Sequence, residues 1–101
     1  MLKELFESQE WKIMLNDSNI NPVFVYCSAS WCVPCKTFKP EFIKMTEQHT
    51  LTQFFLVDVD DLSDEVIEVG VSSVPVTLKI FRGEVISRVN GPHLDKIEDM
   101  L

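Results

Sequence analysis

The sequence predicts an α/β fold: a mixed central sheet of about five strands flanked by about four helices. Three observations carry that expectation. Apolar and β-forming runs alternate with helical patterns through the first two-thirds of the chain, which favours parallel strands joined by helices. Val76 to Phe81 and Glu84 to Val89 then read as a hairpin closing through Arg82-Gly83, so the sheet gains antiparallel strands. The length of 101 residues, with 46% hydrophobic and 25% charged, suits one domain, residues 1–101, able to bury its own core.

Leu2 to Phe6 is short and fits an edge strand or a helix start. Ser8 is a candidate N-cap for a helix in which Trp11, Met14 and Leu15 recur at helical spacing. Asn16-Asp17-Ser18-Asn19 and Asn21-Pro22 break that helix. Val23 to Ser28 is nearly continuous in apolar residues and suits a strand buried on both faces. Within it, Cys27 reads as a small buried hydrophobe.

The next helix runs from Cys32 to about His49, with Phe38, Phe42 and Met45 on its apolar side. Pro34 falls in the first turn, where a missing N–H costs little, whereas Pro40 removes an interior bond and predicts a kink. Phe54 to Val59 reads as a strand, with Asp58 and Asp60 on one face. Leu62, Val66 and Val69 give a short helix stopped at Gly70. A last helix begins near His93, with Leu94, Ile97 and Leu101 on one face.

The chemistry gathers at Trp31-Cys32-Val33-Pro34-Cys35-Lys36, where a strand hands over to a helix. Unpaired N–H groups at a helix N-terminus favour a thiolate over a thiol, so a cysteine there is a nucleophile. A second cysteine one turn on can attack the mixed disulfide that the first one forms. The competing reading is a structural zinc site, but zinc wants two knuckles. Cys27, His49 and His93 are scattered, so no metal is expected.

At these residues the sequence resembles thioredoxin, whose motif is Trp-Cys-Gly-Pro-Cys-Lys; within the six only Val33 departs. Val57-Asp58-Val59-Asp60-Asp61 is similar to the family's third strand and its exit, Ser73-Val74-Pro75 to its cis-proline turn, and Arg82-Gly83-Glu84-Val85 to its last hairpin. Gly91 stands where the family has a glycine beside the active site. These landmarks keep the family's order over most of the chain.

The resemblance implies the thioredoxin fold and a protein disulfide reductase. Cys32 is then the nucleophile and Cys35 the resolving thiol. No bound cofactor is needed, and a flavin-dependent thioredoxin reductase resets the pair. Trp31, Val33, Pro34, Val74, Pro75 and Gly91 form the expected substrate surface around the dithiol, with Val71 beside them. A cis Val74–Pro75 bond is implied, although only about one X–Pro bond in twenty is cis in folded proteins. It leaves the Val74 backbone free to pair with an extended substrate. The indole nitrogen of Trp31 is expected to meet Asp60. Lys36 near the helix start serves the thiolate or a partner, or is simply solvated.

Two departures matter. Thioredoxins carry a buried aspartate six residues before the first active-site cysteine, often partnered by a lysine on the next strand. Here Tyr26 and Leu56 fill those positions. Both charges are gone together, which avoids an unpaired buried charge but removes the usual base behind Cys35. Val33 stiffens the turn between the cysteines. A local mismatch also arises after Pro75. Treating Val76 as an extra, bulged residue keeps Leu78 and Ile80 on one face and Thr77 and Lys79 on the other. The alternative function is a thioredoxin-fold binding module, or a dedicated-partner subunit, with a weakly active dithiol; an oxidase or isomerase of the same fold is disfavoured.

Charge and composition limit the rest. The first fifty residues hold five Lys/Arg and six Asp/Glu, and the last fifty-one hold four against ten, for a net charge of −7. Such acidity disfavours nucleic acid and anionic lipid and is most simply a solubility device. With no apolar run of spanning length and no basic-then-apolar leader, a cytoplasmic setting is expected. Disulfide-containing protein substrates are what the resemblance implies, and a monomer is expected.

Overall fold

The computed structural model describes residues 1–101. The strands are β1 (Leu2–Leu5), β2 (Val23–Ser28), β3 (Gln53–Asp58), β4 (Val76–Phe81) and β5 (Glu84–Asn90). The helices are α1 (Ser8–Asp17), α2 (Val33–Glu47), α3 (Ser63–Glu68) and α4 (Leu94–Asp99). The sheet order is β1-β3-β2-β4-β5. β1 and β2 flank β3 in parallel, while β4 runs antiparallel to both β2 and β5.

The core forms two layers. One buries Trp11 and Met14 of α1 and Val66 of α3 against Val25, Val57 and Leu78. The other buries Phe38, Phe42 and Met45 of α2 and Ile97 of α4 against Phe24, Tyr26 and Phe54. β2 lies between β3 and β4 and is covered on both faces. This is why its run from Val23 to Cys27 is apolar without alternation, each residue at most 3% exposed. Each large side chain so buried contributes roughly 1.5–3 kcal/mol.

The turns follow residue chemistry. Arg82 (φ 53°) and Gly83 (φ 76°) both take left-handed backbone, the geometry of a two-residue hairpin turn matched to strand twist. Gly70 ends α3 at φ 82°.

Several expectations need correction by a residue or so. Ser8 opens α1 rather than capping it. Glu7 is the cap, and the Glu10 carboxylate accepts from the N–H groups of Phe6 (2.9 Å) and Glu7 (3.1 Å). Those bonds hold the Glu10 carboxyl below its ordinary range. α2 ends at Glu47, before His49, and Asp60 sits in the turn after β3. On α4 Met100, not Leu101, completes the buried side.

The bulge is also elsewhere. β4 keeps unbroken register with β2 from Val76 to Ile80, and Val76 packs in the same layer as Leu78 and Ile80. The register shift falls between β4 and β5, where Lys79 pairs with Ser87 and Ile80 with Val85, so Ile86 is the extra residue. Thr77 and Lys79 do lie on the opposite face. Thr77 is buried, and Lys79 sends its Nζ to the Met100 carbonyl at 2.6 Å.

Candidate active site

The C-terminal ends of β2 and β3 deliver the chain to one end of the sheet, and the dithiol sits there. Cys32 is the N-cap of α2, with extended backbone (φ −91°, ψ 108°). Its N–H donates to the Ala29 carbonyl at 3.1 Å. Its Sγ accepts from the Cys35 backbone N–H at 3.2 Å. Such a donor, together with the helix N-terminus, stabilises negative charge on that sulfur once the pair is reduced. Cys32 and Cys35 are joined in a disulfide with Cα atoms 5.3 Å apart. Cys32 is 6% exposed and Cys35 1%, so the first sulfur is the more accessible.

The surroundings divide into an exposed platform and a buried floor. Trp31 and Val33 are 66% and 69% exposed. The indole N–H of Trp31 donates to Asp60 Oδ2 at 3.0 Å, which fixes the ring beside the dithiol. Pro34 is exposed in the first turn of α2, and Lys36 is exposed one residue beyond Cys35. The Val74–Pro75 bond is cis, and the Val74 carbonyl oxygen lies 4.0 Å from Cys32 Sγ. The Gly91 N–H donates to the Pro75 carbonyl at 2.8 Å, tying the end of β5 to that loop. Gly91 has φ 95°, where any other residue is strained, and a Cβ there would lie 2.9 Å from His93 Nε2, so the imidazole would have to move as well. Trp31, Asp60, Val71 and Val74 line a 220 Å³ groove next to the dithiol.

Tyr26 is fully buried beneath α2. Its hydroxyl donates to the Cys35 carbonyl at 2.9 Å, and its ring stacks on Phe42 at 4.7 Å. Burial pushes its phenol up to about 12. Leu56 is its register partner on β3, 7% exposed. No charged group replaces the pair of charges that the resemblance led one to seek there. Cys27 is buried, and burial, partly offset by the Arg88 charge, pushes its thiol up to about 12.

In the sequence Asp58 shows a strand face and a place in the third-strand landmark, but no role at the site. Its Oδ2 accepts from the Ser30 N–H at 3.1 Å and its Oδ1 from the Asp60 N–H at 2.9 Å, so it braces the loop before Cys32 against the turn after β3. The signal available was Asp58-x-Asp60 at a strand exit, a pattern typical of side chain-to-backbone turns. Ile67, 68% exposed on α3 and bordering the groove, was also missed; an apolar residue beside the buried Val66 was its only sign. No group of three or more His, Cys, Asp or Glu side chains converges as a metal site would. No helix is long and apolar enough to cross a membrane.

A redox-competent CxxC at the N-cap of a helix, on a β1-β3-β2-β4-β5 mixed sheet, defines a thiol–disulfide oxidoreductase. The thioredoxin family sequence model matches residues 3–101, and the chain belongs to that family. Thioredoxin of Ovis aries is 33% identical over 98 residues, covering 97% of this chain and 93% of that protein. Among solved structures, a thioredoxin of Nicotiana alata superposes with a TM-score of 0.91 at 32% identity, over 98% of this chain and 88% of that one. Thioredoxin of Schistosoma mansoni gives 0.90 at 33% identity, over 98% and 91%. The chain is accordingly a dithiol–disulfide reductase with the thioredoxin fold.

Proposed function

We propose that Cys32 is the nucleophile and Cys35 the resolving thiol of a one-domain protein disulfide reductase, residues 1–101, reset by a thioredoxin reductase. The observation that carries this reading is the position of Cys32 Sγ at the N-cap of α2, with the Cys35 N–H 3.2 Å away. In the reaction the Cys32 thiolate attacks a substrate disulfide and forms a mixed disulfide, and the first substrate thiolate leaves. Cys35 loses its proton and attacks Cys32 Sγ; the internal disulfide forms and the second substrate thiolate leaves. Two electrons pass from the dithiol to the substrate.

Trp31, Val33, Pro34, Val74, Pro75 and Gly91 bind the substrate segment. The free Val74 backbone pairs with it in strand fashion, a contact blind to side chains, so many protein disulfides are accommodated. Tyr26, Lys36, Leu56 and Asp60 tune the pair: Asp60 by holding Trp31, Lys36 by its charge, Tyr26 and Leu56 by what they leave out. The setting that suits such an activity is the cytoplasm, with the chain acting as a monomer.

The test is turnover of insulin disulfides driven by NADPH and thioredoxin reductase, with Cys32→Ser as control. Turnover that Cys32→Ser abolishes is the expected result. The uncharged Tyr26 and Leu56 behind Cys35 favour one second reading, a dedicated-partner subunit. That reading gains if an alkylatable dithiol gives no turnover.

A further inference from the structure

We infer that Asp58, working through solvent in a cleft beside Cys35, takes up the proton that Cys35 must lose in the resolving step; this rests on the assignment of Cys35 as resolving thiol. The phenol of Tyr26 cannot do it. Its hydroxyl is already a donor, to the Cys35 carbonyl, and no base lies in the floor of the site.

The sheet geometry directs the search outward. Side chains on a strand alternate, and Phe54 and Leu56 of β3 face the α2 layer, so Asp58 follows them on that face. It is the last residue of β3, in register with Ser28 at the end of β2, where the chain turns into the dithiol loop. A cleft of 180 Å³ opens at this corner, and Cys35, Leu56 and Asp58 all line it. Roughly 10–15 Å³ of such space suffices to hold one water. Cys35 is 1% exposed overall, and this cleft brings solvent-accessible space to it beside Asp58.

The other charged groups facing the cleft are Glu4 from β1 and Lys36 and Lys39 from α2. Asp58 is distinguished from Glu4 by being fixed. Both its oxygens are held by backbone N–H groups of the two loops that flank the site, whereas Glu4 is exposed on an edge strand. The two lysines offset the negative charge that appears on Cys35 as the proton leaves. In the balanced step the Cys35 S–H proton passes to a cleft water, which gives its own proton to the Asp58 carboxylate. The Cys35 thiolate attacks Cys32 Sγ, the Cys32–substrate bond breaks, and the departing substrate thiolate carries the electron pair. Asp58 returns its proton to bulk solvent.

The experiment separates the two halves of the reaction. Reduced protein is mixed with a peptide disulfide, quenched with acid at successive times, and the mixed disulfide is followed by mass spectrometry between pH 6 and 9. For Asp58→Asn, mixed-disulfide formation is expected at the unaltered rate. Its decay at pH 7 is expected to be about tenfold slower, less than the roughly 100-fold or more of a base in direct contact, because water intervenes. The deficit closes as pH approaches the ordinary thiol pKa of about 8.5, and added acetate restores part of the rate. Glu4→Gln, which removes a charge from the same cleft, decays like the unaltered protein. The inference is overturned by decay of Asp58→Asn at the unaltered rate. It is also overturned by equal slowing of both steps at every pH, which marks a loop defect, or by Glu4→Gln being the slow variant. Absence of any mixed disulfide in the unaltered protein sinks the reductase assignment itself, and this inference with it.

Discussion

Tyr26→Phe isolates what the phenol hydroxyl contributes. The ring is fully buried and stacks on Phe42 at 4.7 Å, and those contacts survive the substitution. What is lost is one buried hydrogen bond, 2.9 Å from hydroxyl to the Cys35 carbonyl. A typical buried bond contributes about 0.5–1.5 kcal/mol net. A carbonyl in the first turns of a helix is also taken by the N–H four residues on, so the Cys35 oxygen is not orphaned. The expected loss is therefore about 1 kcal/mol, or roughly 4–8 °C in Tm for a chain of this size. Because the bond goes to backbone rather than to sulfur, the loss is the same for the oxidised and reduced forms, and the redox potential does not move. Urea unfolding of both forms of both proteins gives the four free energies required. A loss above about 3 kcal/mol means that the ring has also shifted. A loss that differs between the two forms refutes the reasoning outright, since the hydroxyl then interacts with the sulfurs.

Three further outcomes follow from other residues. Thr77 Oγ1 is buried without a hydrogen-bond partner, so Thr77→Val removes an unsatisfied hydroxyl at constant shape and raises stability by about 1 kcal/mol in a chemical melt; a loss there means the hydroxyl is satisfied. Cys27 has its thiol pushed from 9.0 to about 12 by burial, so unfolding releases its proton more readily than the native state does. With a folded value above the unfolded one, its contribution is complete below about pH 9 and is lost as pH rises towards 12. Melts across that range should show a steeper alkaline decline for the unaltered protein than for Cys27→Ala. Trp31 is 66% exposed, so Trp31→Ala should change stability by less than about 0.5 kcal/mol while insulin reduction falls severalfold. A large stability loss places the indole in the fold rather than in the substrate surface.

The elements easiest to read were those whose pattern is set by burial on both sides. β2 admits no polar residue between Val23 and Cys27, and its extent follows from that alone. The Arg82-Gly83 turn is legible because Gly83, which accepts left-handed backbone at no cost, sits between two β-forming runs, whereas the left-handed backbone of Arg82 has no such sign in the sequence. The misplaced bulge shows where such reading ends. β4 is hydrogen-bonded on both sides, to β2 and β5, so an insertion within it has to be absorbed twice. β5 is an edge strand, and an extra residue there disturbs one ladder only. Ile86 takes that place and is 53% exposed, yet nothing local distinguishes it from the residues around it. The same holds at the site. Spacing alone identifies Cys32 and Cys35, whereas the grip of Asp58 on Ser30 joins residues 28 positions apart and exists only in three dimensions.

The strand register explains why the loss of the buried charges is concerted. Glu4, Leu56, Tyr26 and Thr77 are successive register partners across β1, β3, β2 and β4, so they form one row beneath α2. Within that row the two central positions are neutral, and the nearest carboxylate, Glu4, is at the exposed edge. An aspartate placed at position 26 alone would meet Leu56 on one side and Thr77 on the other, with no cation to offset it. The outcome is a cavity where the phenol packed on Phe42 together with an unpaired buried carboxyl, each destabilising by several kcal/mol. A lysine introduced at 56 in the same step would offset that charge. A chain with a neutral row must move its proton transfer to the end of β3, where Asp58 meets solvent. It then keeps an uncharged core at the expense of a resolving step that depends on water in the cleft.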